Sequence, residues 1–171
     1  RMHEIITHRY KPLYERPTDA EWKQTALYMH GKKLPGRKST GLLPMQRHVV
    51  IAGMRTLLAY HHVNFVCDMG TGKTSMSLAT IDMLPNAWPA IVFGPGHMVE
   101  KWKAEIPKVV PGAKGFIARS VADVTKFVRD WRPGDKWVLI MGYEMAKMGA
   151  GPVAINNVPG CRRIHSITNL D

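Results

Sequence analysis

At 171 residues the chain is about one domain long, and 45% hydrophobic with 22% charged residues is an ordinary globular composition that excludes a disordered or fibrous protein. No stretch approaches the roughly 20 uninterrupted apolar residues of a membrane helix, and Arg1-Met2-His3-Glu4 lacks a signal-peptide core, so an intracellular protein is expected. Lys plus Arg number 24 against 13 acidic residues, a net charge of +11 that favours a polyanionic partner or a phosphorylated ligand; Cys67 and Cys161, the only two cysteines, indicate neither a disulfide framework nor a self-contained metal site.

In the first forty residues Arg1, Arg9, Lys11, Arg16, Lys23, Lys32, Lys33, Arg37 and Lys38 face only Glu4, Glu15, Asp19 and Glu21, so +5 of the charge falls there. Thr18-Asp19-Ala20-Glu21 has the pattern of a capping box and predicts a short helix over 19–30 that stops at Gly31. The stretch 31–41 is rich in turn formers and cations, and is either a solvated basic linker or a loop that touches phosphates. Residues 1–41 thus form a basic segment ahead of a regular lobe over 42–148.

Within that lobe Val49, Val50, Met54, Leu57 and Leu58 recur at helical spacing and predict a helix over 45–60. Val63 to Cys67 is a short apolar run that predicts a strand, and a glycine-rich turn separates it from a second helix carrying Met76, Leu78, Ala79, Ile81 and Leu84. Ala90 to Phe93 predicts a strand, Met98 to Ile106 a helix stopped by Pro107, and Phe116 to Ala118 a short strand. Ser120 caps a helix with Val121, Val124, Phe127, Val128 and Trp131, and Trp137 to Met141 predicts a last strand. Apolar strands alternating with helices predict an α/β fold, a parallel sheet with helices on both faces. Residues 149–171 have no periodicity and read as an irregular tail.

The strongest chemical signal is Cys67-Asp68-Met69-Gly70-Thr71-Gly72-Lys73-Thr74, set between an apolar run and a helix as a phosphate-binding loop (P-loop) requires. Gly70 and Gly72 let backbone N–H groups curl around phosphates with no Cβ in the way, and the new helix offers its positive end. Lys73 is placed to reach the β- and γ-phosphates and Thr74 to give its hydroxyl to Mg²⁺. Cys67 stands where the generic motif has its first glycine.

With these residues in view the chain resembles the Swi/Snf-type remodelling and translocating ATPases of helicase superfamily two. Their loop commonly reads Asp-Glu-Met-Gly-x-Gly-Lys-Thr, which Asp68 to Thr74 matches apart from the first acidic residues. Leu43-Pro44-Met45-Gln46 looks like the family's glutamine motif, which implies that Gln46 contacts adenine. The run from Ile91 to Ile106, through Gly94-Pro95-Gly96 and Lys101-Trp102-Lys103, is similar to the motif that leads from a strand into a Trp-containing helix near the nucleic-acid backbone. Trp137 to Glu144 resembles the next family strand, which ends in Tyr-Glu.

The resemblance implies a RecA-like P-loop NTPase lobe that binds ATP and Mg²⁺ through Gln46, Met69, Gly70, Thr71, Gly72, Lys73, Thr74 and Ser75. It also implies nucleic acid, double-stranded DNA first, near Pro95, Gly96, Lys101 and Lys103, with Lys32, Lys33, Arg37 and Lys38 of the lead loop as further candidates. A cytoplasmic or nucleoid-associated place is expected, and a phage or prokaryotic source is allowed. Local alternatives stay open: Trp102 shares helical spacing with Met98, Val99 and Ile106 and is more naturally core than a stacking platform, and Lys101 and Lys103 are either solvated or phosphate contacts. Cys67 reads as a buried apolar residue, His61-His62 as surface, and Cys161 as a lone cysteine or the start of a zinc insertion.

Hydrolysis in such enzymes needs an acidic pair at a strand end and an arginine from a second lobe, yet no apolar run here ends in Asp-Glu. The expectation is therefore the front part of one lobe of a larger ATPase, with the remainder of that enzyme and its second lobe as partner. Two other classes remain: a non-catalytic module binding nucleotide and nucleic acid, and a P-loop phosphotransferase.

Overall fold

The computed structural model describes residues 15–28 and 41–148. Helix α1 spans Asp19–Thr25, and its capping box is formed: Glu21 N–H donates to Thr18 Oγ1 at 3.3 Å while Glu21 Oε2 accepts from Thr18 N–H at 2.7 Å. The helix ends at Thr25, short of the expected His30. Seven residues are too few to be stable as an isolated helix, so α1 exists because it docks. Thr25 and Tyr28 are buried, and Leu42 N–H donates to the Tyr28 carbonyl at 3.1 Å, returning the chain to the start of the next helix.

Helix α2 spans Pro44–Tyr60 with proline at its first turn, where the missing N–H costs nothing. Helix α3 covers Lys73–Met83, strand β1 Ala90–Gly94, and a 3₁₀ turn Gly96–Met98 leads into helix α4, Val99–Val109. Strand β2 is Lys114–Ala118, helix α5 Val121–Asp130, strand β3 Trp137–Gly142 and helix α6 Tyr143–Met148. The three strands form one parallel sheet in the order β1-β3-β2, with Ala90 opposite Val138 and Lys114 opposite Trp137.

This order places the helices. The chain passes from β1 over β3 to β2, then returns from β2 to β3; right-handed crossovers in opposite directions put α4 and α5 on opposite faces. Alternation along β3 follows suit. Val138 and Ile140 lie in one core cluster with Ile106 and Val109 of α4 and the buried apolar side chains of α2 and α3, while Leu139 and Met141 join Phe127 of α5 in the other. In the second cluster the rings of Phe116, Phe127 and Trp137 meet at centroid distances of 4.3 to 5.7 Å. The α/β expectation, a parallel sheet with helices on both faces, is met by this three-stranded sheet.

Three local expectations are corrected. Val63 to Cys67 is not a strand: residues 62–68 adopt no regular structure and pair with none of the three described strands. A strand needs a hydrogen-bonding neighbour, and this run instead lies on helices. A Cβ built on Gly53 of α2 would come within 2.7 Å of the Phe65 ring and 3.3 Å of Thr80 of α3, so the ring fills the notch that the glycine leaves. Val66 on the other side of the run is 94% exposed. Second, α4 continues through Pro107 to Val109. The proline forfeits about 3 kcal/mol or more, but Ile106, Val109 and Val110 are all fully buried and each contributes about 1.5–3 kcal/mol by leaving water. Third, β2 begins at Lys114, two residues before the apolar pattern starts at Phe116.

A carboxylate that carries no sequence signature joins three parts of the fold. Asp82, near the end of α3, accepts from the Tyr28 hydroxyl at 3.1 Å and the Trp88 indole N–H at 3.0 Å, and pairs with Lys136 Nζ at 2.6 Å. Burial first, and then the Asp82 charge, raises the Tyr28 phenol above its ordinary range.

Candidate phosphate-binding site

The end of α3 that carries Asp82 is bound to Lys136, the residue just before β3, so it lies where the strands begin. A helix of this length spans about 16 Å, close to the length of the strands. The glycine loop is carried at the other end of α3, away from Lys136.

The loop is curled by its glycines. Gly70 and Gly72 have φ of +82° and +87°, the left-handed region that side chains with a Cβ disfavour, and Gly72 is the N-cap of α3 without any side-chain cap. The Asp68 carbonyl accepts from Thr71 Oγ1 at 2.8 Å and from Lys73 Nζ at 2.8 Å, and Lys73 Nζ donates also to the Cys67 carbonyl at 2.9 Å. The exposed ammonium thus closes the ring of the loop from the helix side. Two of its three hydrogens are used on carbonyls, leaving one donor and the full charge to face an anion. The first turn of α3 contains no acidic residue, so no side chain of that turn neutralises its positive N-terminal end. Thr74 is half-buried, Ser75 buried, and Met69 is 95% exposed at the rim.

Gln46 reaches this loop from α2. It is only 4% exposed; its Nε2 donates to the Thr71 carbonyl at 2.7 Å and its Oε1 accepts from Leu43 N–H at 2.8 Å. One end of the amide closes the first turn of α2 and the other holds the loop. Each end keeps one further hydrogen-bonding capacity.

The remaining expected residues sit as follows. Pro95 and Gly96 are exposed just after β1, and a Cβ built on Gly142 at the end of β3 would stand 3.6 Å from Gly96 Cα, so these two strand ends are close. Lys101 and Lys103 are exposed on α4, whereas Trp102 between them packs on the first core cluster, which favours its reading as core. Glu144 is exposed in the first turn of α6, Cys67 is half-buried against the core, and His61 and His62 are exposed. Lys32, Lys33, Arg37, Lys38 and Cys161 lie outside the described residues. Among the described residues no group of three or more His, Cys, Asp or Glu could hold a metal ion, and no helix is long and apolar enough to cross a membrane.

Residues that the sequence pattern does not single out also frame the site. Arg47, next to Gln46, grips α1: its Nε donates to Thr25 Oγ1 at 2.9 Å, an Nη donates to the Trp22 carbonyl, and the guanidinium carbon lies 3.7 Å from the Trp22 ring centroid. Two turns on, Arg55 forks onto Glu21 at 2.9 and 2.7 Å. These contacts join residues more than twenty positions apart, which no local periodicity signals. No protein-family model matches the chain, and no curated protein matches its sequence.

Proposed function

We propose that the chain binds ATP with Mg²⁺ through residues 69–75 and is the ATP-binding part of a RecA-like lobe in a superfamily-two translocase or helicase acting on nucleic acid, double-stranded DNA first. The observation that carries this reading is the loop itself: two left-handed glycines, a lysine closing the ring and a helix start without a side-chain cap. These residues fit a triphosphate. Backbone N–H groups at Gly70 to Lys73 and the Lys73 ammonium would hold its oxygens, and the Thr74 hydroxyl would meet the metal. Bound Mg²⁺ supplies charge neutralisation of the phosphates. The exposed cations Lys101 and Lys103, on the helix that follows Pro95 and Gly96, support a nucleic-acid backbone as the neighbouring partner.

Calorimetric titration with MgATP tests the reading: the wild type is expected to bind and Lys73→Ala to bind far more weakly. Equal affinities would overturn it. One observation favours a second reading, a P-loop protein indifferent to the base, as in a phosphotransferase or a simple binding module. Both ends of the Gln46 amide already serve the backbone, so adenine would have to use what capacity remains. Competition of ATP against GTP separates the two, since a glutamine that reads adenine gives a preference lost in Gln46→Ala.

A further inference from the structure

Successive residues of a helix point about 100° apart, so neighbours on α2 address different parts of the molecule. Gln46 holds the phosphate loop through the Thr71 carbonyl, 2.7 Å away. Arg47 turns to α1, where it bonds Thr25 Oγ1 at 2.9 Å and the Trp22 carbonyl and lies over the Trp22 ring. Thr25 is fully buried, and its hydroxyl in turn donates to the Trp22 carbonyl at 3.0 Å. Arg55, eight residues further along α2, also reaches α1, and its fork on Glu21 fixes the other end of that helix.

On the strength of the nucleotide reading above, we propose that α1 is a positioning element of the nucleotide site and that Arg47 is the positioning residue through which it acts. Gln46 stands in the first turn of α2, where backbone N–H groups have no partner one turn back and the helix frays first. Two bonds close that turn: Gln46 Oε1 to Leu43 N–H at 2.8 Å, and Arg47 N–H to the Leu43 carbonyl at 3.0 Å. With Arg47 anchored on α1 the turn stays wound, and Gln46 stays aimed at Thr71. Gly70 and Gly72 restrict their own backbone little, so the curl of the loop depends on such outside holds. When the hold is loosened, fewer molecules have the loop curled, and apparent affinity for a nucleotide falls by that fraction.

The test uses the full chain and four variants: Thr25→Val, which removes the hydroxyl with little change of volume, Arg47→Met, Gln46→Ala, and the double variant Thr25→Val with Gln46→Ala. Thr25→Val and Arg47→Met are each expected to weaken MgATP binding about three- to tenfold, and Thr25→Val to have no further effect once Gln46 is alanine. Equal losses in both backgrounds would mean that α1 acts by general stability and would overturn the proposal. Hydrogen exchange of the 69–74 amides without nucleotide gives an independent reading. It is expected to quicken severalfold in Thr25→Val; unchanged exchange overturns the proposal whether or not ATP binds. Quickened exchange in a chain that binds no nucleotide would uphold the α1-to-loop link and overturn the nucleotide reading alone.

Discussion

Lys73 is where a single side chain matters most to the proposed ligand. It bridges two loop carbonyls and keeps a charge for the phosphates, so Lys73→Ala removes both a loop closure and a charge-assisted bond. The expected loss of MgATP affinity is about 1.5–3 kcal/mol, measured by calorimetry, with little change in thermal stability because the side chain is exposed. Glu21 offers a contrasting test, read on stability. The Arg55 guanidinium bonded to it, outweighing burial and helped by Thr18, lowers its carboxyl from 4.5 to about 2. The folded state therefore binds this proton less readily than the unfolded state, and the pair stabilises fully above about pH 5, losing its effect as pH falls toward 2. In urea unfolding, wild type is expected to exceed Glu21→Gln by a constant margin from pH 5 to 7, with the margin shrinking below the ordinary carboxylate pKa. A margin that widened on acidification would contradict the Arg55 pairing.

At the scale of elements, the spacing of α4 on the sheet depends on a missing methyl group. A Cβ at Gly115 of β2 would lie 2.9 Å from Ile106 Cδ1, 3.0 Å from Ile140 Cδ1 and 3.1 Å from the Cα of Lys103. The isoleucine tips can rotate, but the backbone of α4 cannot yield without lifting its whole buried face. Gly115→Ala is thus expected to destabilise the fold by roughly 1–3 kcal/mol in chemical denaturation, the usual range for overpacking. A neutral or stabilising result would show that α4 slides freely over the sheet. The same strand shows why its boundary is hard to read: Lys114 pairs with Trp137 in the sheet but points a charged side chain outward, so hydrophobicity begins later than the hydrogen bonding.

For the whole molecule, the excess of cations should be visible as salt-dependent binding to nucleic acid. Each phosphate contact releases counterions, so affinity for duplex DNA is expected to fall steeply with salt and to depend little on sequence. Replacing Lys101 and Lys103 together by alanine should reduce the logarithmic salt slope by about 2, one for each contact. If the slope is unaltered in filter-binding titrations at several salt concentrations, these lysines are merely solvated.

The features that local chemistry dictates were legible in the sequence. The Thr18 capping box, the Ser120 cap, the apolar runs of β1 and β3 and the glycine loop before α3 each depend on residues a few positions apart, and each is present. Alternating strand and helix signals also determined the α/β class, since parallel strands need crossover helices. What only the tertiary structure decided depends on partners distant in the chain. Val63 to Cys67 has the composition of a strand, yet Phe65 found a notch at Gly53 and no described strand to pair with. Pro107 reads as a helix stop, but burial of Ile106, Val109 and Val110 outweighs the bond it cannot make. Gln46 stands in a stretch that resembles a glutamine motif, while its grip on Thr71, and Arg47's grip on α1 beside it, arise only where three separated segments pack together. Periodicity records how a segment divides between apolar and polar faces; it does not record which neighbour each face meets.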